Sequence, residues 1–335
     1  MKKTKVLARW ILAGGVCAAV WICPGCSRPV SAPLERIETT VPTEETETEP
    51  LVLPTEPPET ETVEESEEYP EERVEVDGMI RSYLTGEMVP VSQGNRRPLA
   101  IMMSNDKQAL PQYGINRAGV VYEAPVEATM NRYMAIMENY DDLDRIGSVR
   151  SCRTYYTYFA REFDAIYAHF GQSTFAKPYL KNVDNINGIE GTGSTAYYRA
   201  QDKRSPHNAY ASFAGIQRAI GQLHYSQEYD PEYEGHFLFA RTGKEAELKG
   251  ADAREAWKVR PGYKYNDPWF EYHEDDGLYY RYQYGDVHKG DEGPIAVKNI
   301  IIQYCSAGYY ATTDYRNINV HEDSWGYFIT GGKAE

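Results

Sequence analysis

The stretch DRIGSVRSCRTYYTYFAREFDAIYAHFG, residues 144–171, decides how the rest of the chain is read. Tyr155, Tyr158, Phe159 and Phe163 recur at helical spacing, and Ser151 ahead of them is a residue type that caps helix N-termini. Asp164-Ala165 breaks the pattern, and residues 165–170 read as a buried strand stopping at Gly171. The charges are unusual. Arg150 and Arg153 flank the helix start, where the macrodipole is positive and cations cost roughly 0.3–1 kcal/mol each. Either they pair with nearby carboxylates, Glu123 or Glu127, or they hold an anion together with the free amides of the helix start.

Upstream, residues 99–105, 119–123 and 131–140 read as three strands. Downstream, residues 173–180 read as a short helix and 182–195 as a loop. Lys203 to Asn208 is a second polar cluster. It precedes an amphipathic helix over 210–223, whose apolar positions are Phe213, Ile216, Ile220 and Leu223. This alternation indicates a mixed α/β domain, α/β or α+β in class, over residues 79–228.

Beyond His224 the texture changes. Residues 225–235 are a Tyr- and acid-rich connector, 236–240 a short strand, and 243–257 a helix that contains Gly250. From Phe270 the pattern is all β. Residues 270–285 form a hairpin around the turn dipeptide Asp276-Gly277. Residues 297–304 read as a well-buried strand, with further strands at 317–320 and 326–330. The Gly331-Gly332 turn should lead into another strand, so a smaller β-rich C-terminal domain, 229–335, is expected to be truncated and to leave an open edge.

The N-terminal end has a different character. Lys2, Lys3, Lys5 and Arg9 precede an apolar run over residues 10–23, the pattern of a signal peptide. It ends in Gly25-Cys26, like a bacterial lipobox, although Cys23 stands where that motif usually has Leu. Cleavage before Cys26 and lipidation of its thiol are expected over residues 1–26, placing the protein on the extracytoplasmic face of the cell membrane. Residues 27–78 read as a disordered Pro/Thr/Glu linker in the cell envelope. Residues 27–77 hold 17 acidic and 3 basic residues, and the first 26 residues hold four basic and no acidic ones. Of the chain's net charge of −15, about −5 is therefore left for the folded part. The acidity belongs to the tether, and a mildly acidic folded part without a basic stripe argues against a nucleic-acid partner.

Cys152 and Cys305 are the two cysteines of the folded part; they could pair in an oxidising exterior, but no spacing requires it. Cys152 reads as a side chain packed behind the helix start; two flanking arginines would lower its pKa and make it reactive. No CxxC or HxxxH pair supports a zinc site. No cofactor is expected, and a divalent ion on Glu123 and Glu127 has no further support.

The candidate site comprises Glu123, Glu127, Arg132, Arg150, Ser151, Arg153, His169, His207 and Asn208. Arg132, Arg150, Ser151, Arg153, His207 and Asn208 are the anion-binding candidates. Each residue also has a structural alternative. Glu123 and Arg132 lie on expected neighbouring strands and could form an ion pair. His169 could bind a backbone carbonyl, and His207 with Asn208 could cap the following helix. Together they suggest a crevice at strand ends and helix starts. Three functions fit: binding of an anionic envelope ligand, hydrolysis of phosphodiester or pyrophosphate bonds with His169 or His207 as acid or base, and a scaffold that pairs its open edge with a partner.

The chain resembles the DUF3048 (YerB-like) lipoprotein family. The resemblance rests on RPLAIMMSN, ALPQYGINRAGVVYEAPVE, NRYMAIM, IGSVRSCR and SPHNAY in the first half. GLYYRYQYGDVH, VKNIIIQY and GYFITGGK carry it in the second. Leu110, where the family has an arginine, and Cys152, where it has a small residue, depart from the pattern. The resemblance implies an extracytoplasmic, often lipid-anchored protein of two domains, and brings no activity with it.

Overall fold

The computed structural model describes residues 73–241, 244–250, 252–321 and 325–335. The signal peptide, Cys26 and most of the linker lie outside the described residues. The linker was expected to run to residue 78, but Arg73 is already tied down: it donates to Arg81 O at 2.7 Å and Gly94 O at 2.6 Å, and lies over the Tyr83 ring.

A five-stranded mixed sheet forms the centre of the first half. Its order is Val120–Pro125, Asn131–Met137, Leu99–Ser104, Ile166–His169, Asn185–Asn187. The first three strands are antiparallel, and the last two join in parallel. Side chains alternate between the two faces. Leu99, Ile101 and Met103 enter one core with Ile216, Ala219 and Ile220 of the helix Phe213–Leu223. Ala100 and Met102 enter the other with Tyr155, Tyr156 and Phe159 of the helix Thr154–Arg161. A helix on each face explains why Leu99–Ser104 is buried at all six positions and reads as an unbroken apolar run.

The second half is strand-rich. Trp269–His273 and Leu278–Gln283 form the expected hairpin, extended by short strands on both sides. A second sheet pairs Asn299–Tyr304 with Trp325–Thr330, which is followed by Lys333–Ala334. Phe270 and Tyr279 of the first sheet share a small core with Ile300 and Ile329 of the second. The layout is a mixed α/β N-terminal half followed by a β-rich C-terminal half.

Several local expectations are corrected. Ser151 is not the helix cap: Arg153 occupies that position in extended conformation, and Ser151 Oγ donates to Phe170 O at 3.0 Å. Residues 174–179 form turns rather than a helix, since Pro178 disfavours helical geometry at Lys177. The loop over 182–195 contains the edge strand Asn185–Asn187. The second helix starts at Phe213, capped by Ser212, because Ala209–Ala211 is zipped into a small sheet first. Residues 236–240 form no ladder; His236 and Phe237 pack on Phe163. The described part of 243–257 has no helix, only the short strand Arg254–Glu255. The strand Asn299–Tyr304 was expected to be buried, yet it buries Ile300 and leaves Ile301 and Tyr304 exposed.

The two halves meet over a polar seam. Asp291 Oδ1 accepts from Gly114 N at 2.8 Å, and Gly290 packs directly on Asn116, where a Cβ would lie 2.0 Å from Oδ1. A larger residue there would force the Asn116 and Ile115 side chains to move.

Candidate functional site

The central strand Leu99–Ser104 runs into Asn105 and Asp106. Beside its end lies Arg132, paired in register with Ser104. Arg150 arrives from the other side, its N–H donating to Met102 O at 3.0 Å. His207 closes the cleft from the loop before Ala209–Ala211. Ser104, Asp106, Arg132, Arg150, His207 and Tyr265 line a small open cleft with about 20 Å³ of free space.

Arg150 is half-buried, and its Nη1 donates to Pro206 O at 2.9 Å. Among the described residues it forms no ion pair. Burial pushes its guanidinium down to about 10; Arg132 and Arg199 push the same way, and Asp106 opposes them. His207 Nδ1 lies 3.3 Å from Ser104 Oγ, and Nε2 lies 3.8 Å from Asp106 Oδ1. Burial, then the nearby cations, hold its pKa below the ordinary histidine value against the pull of Asp106. Asp106 is itself engaged: Oδ1 accepts from Gln108 N at 2.8 Å and Oδ2 from Tyr265 OH at 3.0 Å.

Arg153 does not reach this cleft. It turns to Glu127, whose other oxygen lies 3.3 Å from Arg132 Nη2. Arg132 also donates to Ser151 O at 2.8 Å, and Arg153 to Cys152 O at 2.7 Å. Tyr315, from the second half, places its ring 5.0 Å from the Arg153 guanidinium. Tyr310 OH meets Thr154 Oγ1 at 3.2 Å, and Arg316 donates to Ala128 O at 3.1 Å. Glu127 thus pairs with both Arg132 and Arg153, one carboxylate between two cations, in a cluster sealed by the C-terminal half. Here the carboxylate-pairing alternative holds.

Glu123 does not pair with Arg132. The register sets Glu123 opposite Tyr133 and Ala124 opposite Arg132, so the two charged side chains leave opposite faces of the sheet. Glu123 instead takes Arg281 from the second half, at 2.9 and 3.1 Å, beside Asn105 Nδ2 at 3.1 Å. Each of the two carboxylates offered to a divalent ion is therefore held by arginine.

His169 is fully buried between Gly171 O at 2.8 Å and Asn185 Oδ1 at 3.2 Å, away from the cleft. Asn208 neither caps the helix nor enters the cleft; its Oδ1 accepts from Arg199 Nη1 at 2.6 Å. Cys152 and Cys305 are both free. Burial raises the Cys152 thiol to about 12 against the opposing pull of Tyr167 and Arg132, so the flanking arginines do not make it reactive.

The structure thus joins Arg132, Arg150 and His207, and sets Ser151, Arg153, Asn208, Glu123, Glu127 and His169 in supporting positions. Ser104 and Asp106 were missed. The signal was present: a polar triplet, Ser104-Asn105-Asp106, directly follows an apolar strand in a sheet whose strand ends open to a crevice.

The fold is a mixed α/β half joined to a strand-rich half, and the chain belongs to the DUF3048 family. Residues 84–226 match "Protein of unknown function (DUF3048) N-terminal domain" and residues 258–335 match its C-terminal domain. A curated relative is the protein named "Putative lipoprotein YerB" of Bacillus subtilis (strain 168), 29% identical over 265 residues, covering 76% of each chain. The crystal structure of the YerB protein from Bacillus subtilis is similar with a TM-score of 0.65 and 27% identity, over 76% of this chain and 85% of that one.

Proposed function

We propose that this is a lipid-anchored envelope protein that binds an anionic cell-envelope ligand in the Arg150 cleft. One observation carries the reading. Arg150 is a half-buried cation whose hydrogen-bond partner is a neutral carbonyl and whose neighbours Arg132 and Arg199 repel it. A phosphate or carboxylate at this guanidinium would offset the desolvation and supply bidentate acceptors. The lipid anchor is supported by the Gly25-Cys26 junction and by the name of the Bacillus relative. An enzyme acting on phosphodiester bonds is a weaker second reading, supported by His207 between Ser104 and Asp106.

Calorimetric titration with inorganic phosphate and glycerol 3-phosphate tests the site. Arg150→Ala should weaken binding about 10–100-fold and leave the melting temperature unchanged or raised. Equal binding by wild type and variant would refute the assignment. Cys26→Ser should shift the protein from the membrane fraction to the medium or leave it unprocessed. A variant that still fractionates with membranes would refute the anchor.

A further inference from the structure

Beyond the cleft, positive charge continues along one loop. We infer that the occupant of the cleft is a chain of phosphate groups rather than a single phosphate, and that the loop over residues 199–208 is its track. This rests on the anion-binding reading of Arg150.

The loop leaves the strand Tyr197–Arg199 and returns as Ala209–Ala211, closed by Ala200 N donating to Asn208 O at 2.9 Å. Three cations are fastened to it or beside it. Arg150 is on Pro206 O, Arg199 Nη1 on Asn208 Oδ1 at 2.6 Å, and Lys203 Nζ on Leu110 O at 2.5 Å. All three acceptors are neutral, so these bonds orient the cations without cancelling their charge. The acid of the loop, Asp202, is taken by Arg145 at 2.9 Å. In the cleft Asp106 accepts from Gln108 and Tyr265, neutral donors that leave its charge in place, so one carboxylate stands against the three cations and His207. The cations sense one another: Arg199 lowers the pKa of Arg150, and Lys203 lowers that of His207.

One phosphate seated on Arg150 leaves Arg199 and Lys203 unneutralised. A thread with a charge on every unit reaches all three. The cleft is narrow, and a polymer whose charges lie on its own backbone enters it more readily than a polypeptide, whose carboxylates hang on side chains. The chemical class is therefore a phosphodiester polymer or a polyphosphate.

The test compares calorimetric affinities for inorganic phosphate, glycerol 3-phosphate, poly(glycerol phosphate), polyphosphate and poly-L-glutamate. Either phosphate polymer should bind at least about tenfold tighter per chain than the monomers, as several linked contacts allow, and with a steeper salt dependence. The double substitution Arg199→Gln with Lys203→Gln keeps a donor at each position. It should remove most of the polymer advantage and the extra salt slope while changing monomer affinity by less than about twofold. A melting curve confirms its fold, and Arg204→Gln on the same loop provides a second charge removal at a side chain with no hydrogen bond among the described residues, expected to reduce the polymer advantage and salt slope further. The inference is overturned if polymers bind no tighter than monomers, if the advantage survives the double substitution, or if poly-L-glutamate binds as tightly as the phosphate polymers. Polymer binding that Arg150→Ala leaves intact and the double substitution destroys would refute the cleft reading and spare the track. The relative affinities of polyphosphate and poly(glycerol phosphate) identify which source the site prefers.

Discussion

Arg150 and Arg153 leave the same loop three residues apart and end in opposite surroundings. Arg153 points to Glu127, under Tyr315 and the hairpin formed by Ala307–Tyr309 and Arg316–Ile318. Arg150 faces a cleft and a carbonyl. The two were expected to act together. What separates them is the C-terminal half, which caps Arg153 with Tyr315 and only edges the Arg150 cleft with Tyr265. A buried cation paired with a carboxylate and capped by an aromatic ring supports the fold. A half-buried cation among repelling neighbours is free for a ligand.

The largest effect expected on this contrast comes from Glu127→Ala. It leaves two buried guanidinium groups without a counter-charge and should destabilise by about 3–5 kcal/mol, read by urea unfolding. A loss under about 1 kcal/mol would mean that the sealed cluster is not structural. Arg150→Ala comes next. Its stability should stay within about 0.5 kcal/mol of wild type, while phosphate affinity falls about 10–100-fold, the usual worth of a charged hydrogen-bond partner. A large drop in stability would erase the distinction between the two arginines.

Glu138 gives a smaller, pH-dependent test at a third charged position. It is buried and accepts from Ser82 Oγ at 2.7 Å. Burial raises its carboxyl from 4.5 to about 7, against the opposing pull of Ser82, Arg73, Arg96 and Gln93. The folded state therefore holds this proton more tightly than the unfolded chain does. The resulting stability is complete below about 4.5 and is lost as pH rises through about 7. Unfolding free energies measured across that window should decline with pH from this group, and Glu138→Gln should flatten the decline. An unchanged slope in the variant would show that Glu138 does not hold its proton more tightly in the fold than in the unfolded chain.

Much of this was legible without coordinates. The strand Leu99–Ser104 announces itself as an apolar run because both of its faces are covered. The Asp276-Gly277 hairpin follows from the conformational needs of a tight turn, with Gly277 at φ 69°. The helix Phe213–Leu223 is visible in its apolar stripe, and its exact start is not, because Ala209–Ala211 is claimed by pairing with distant residues. Likewise Asn185–Asn187 has little strand character of its own, and is a strand because Ile166–His169 offers it a parallel edge.

By itself the sequence determined the local periodicities, the order of a mixed half before a β-rich half, and the set of charged residues near the strand ends, since these depend on near neighbours along the chain. Tertiary structure alone decided which charge meets which. The pleat sent Glu123 and Arg132 to opposite faces of one sheet. The docking of the second half then gave Glu123 to Arg281 and sealed Glu127 over Arg153. Ion pairing depends on distances of a few ångströms between segments 26 residues apart for Glu127 and Arg153 and 158 apart for Glu123 and Arg281, and no spacing along the chain encodes that. Arg150 became the candidate site because, among the described residues, no carboxylate forms an ion pair with it and Asp106 only partly offsets its burial.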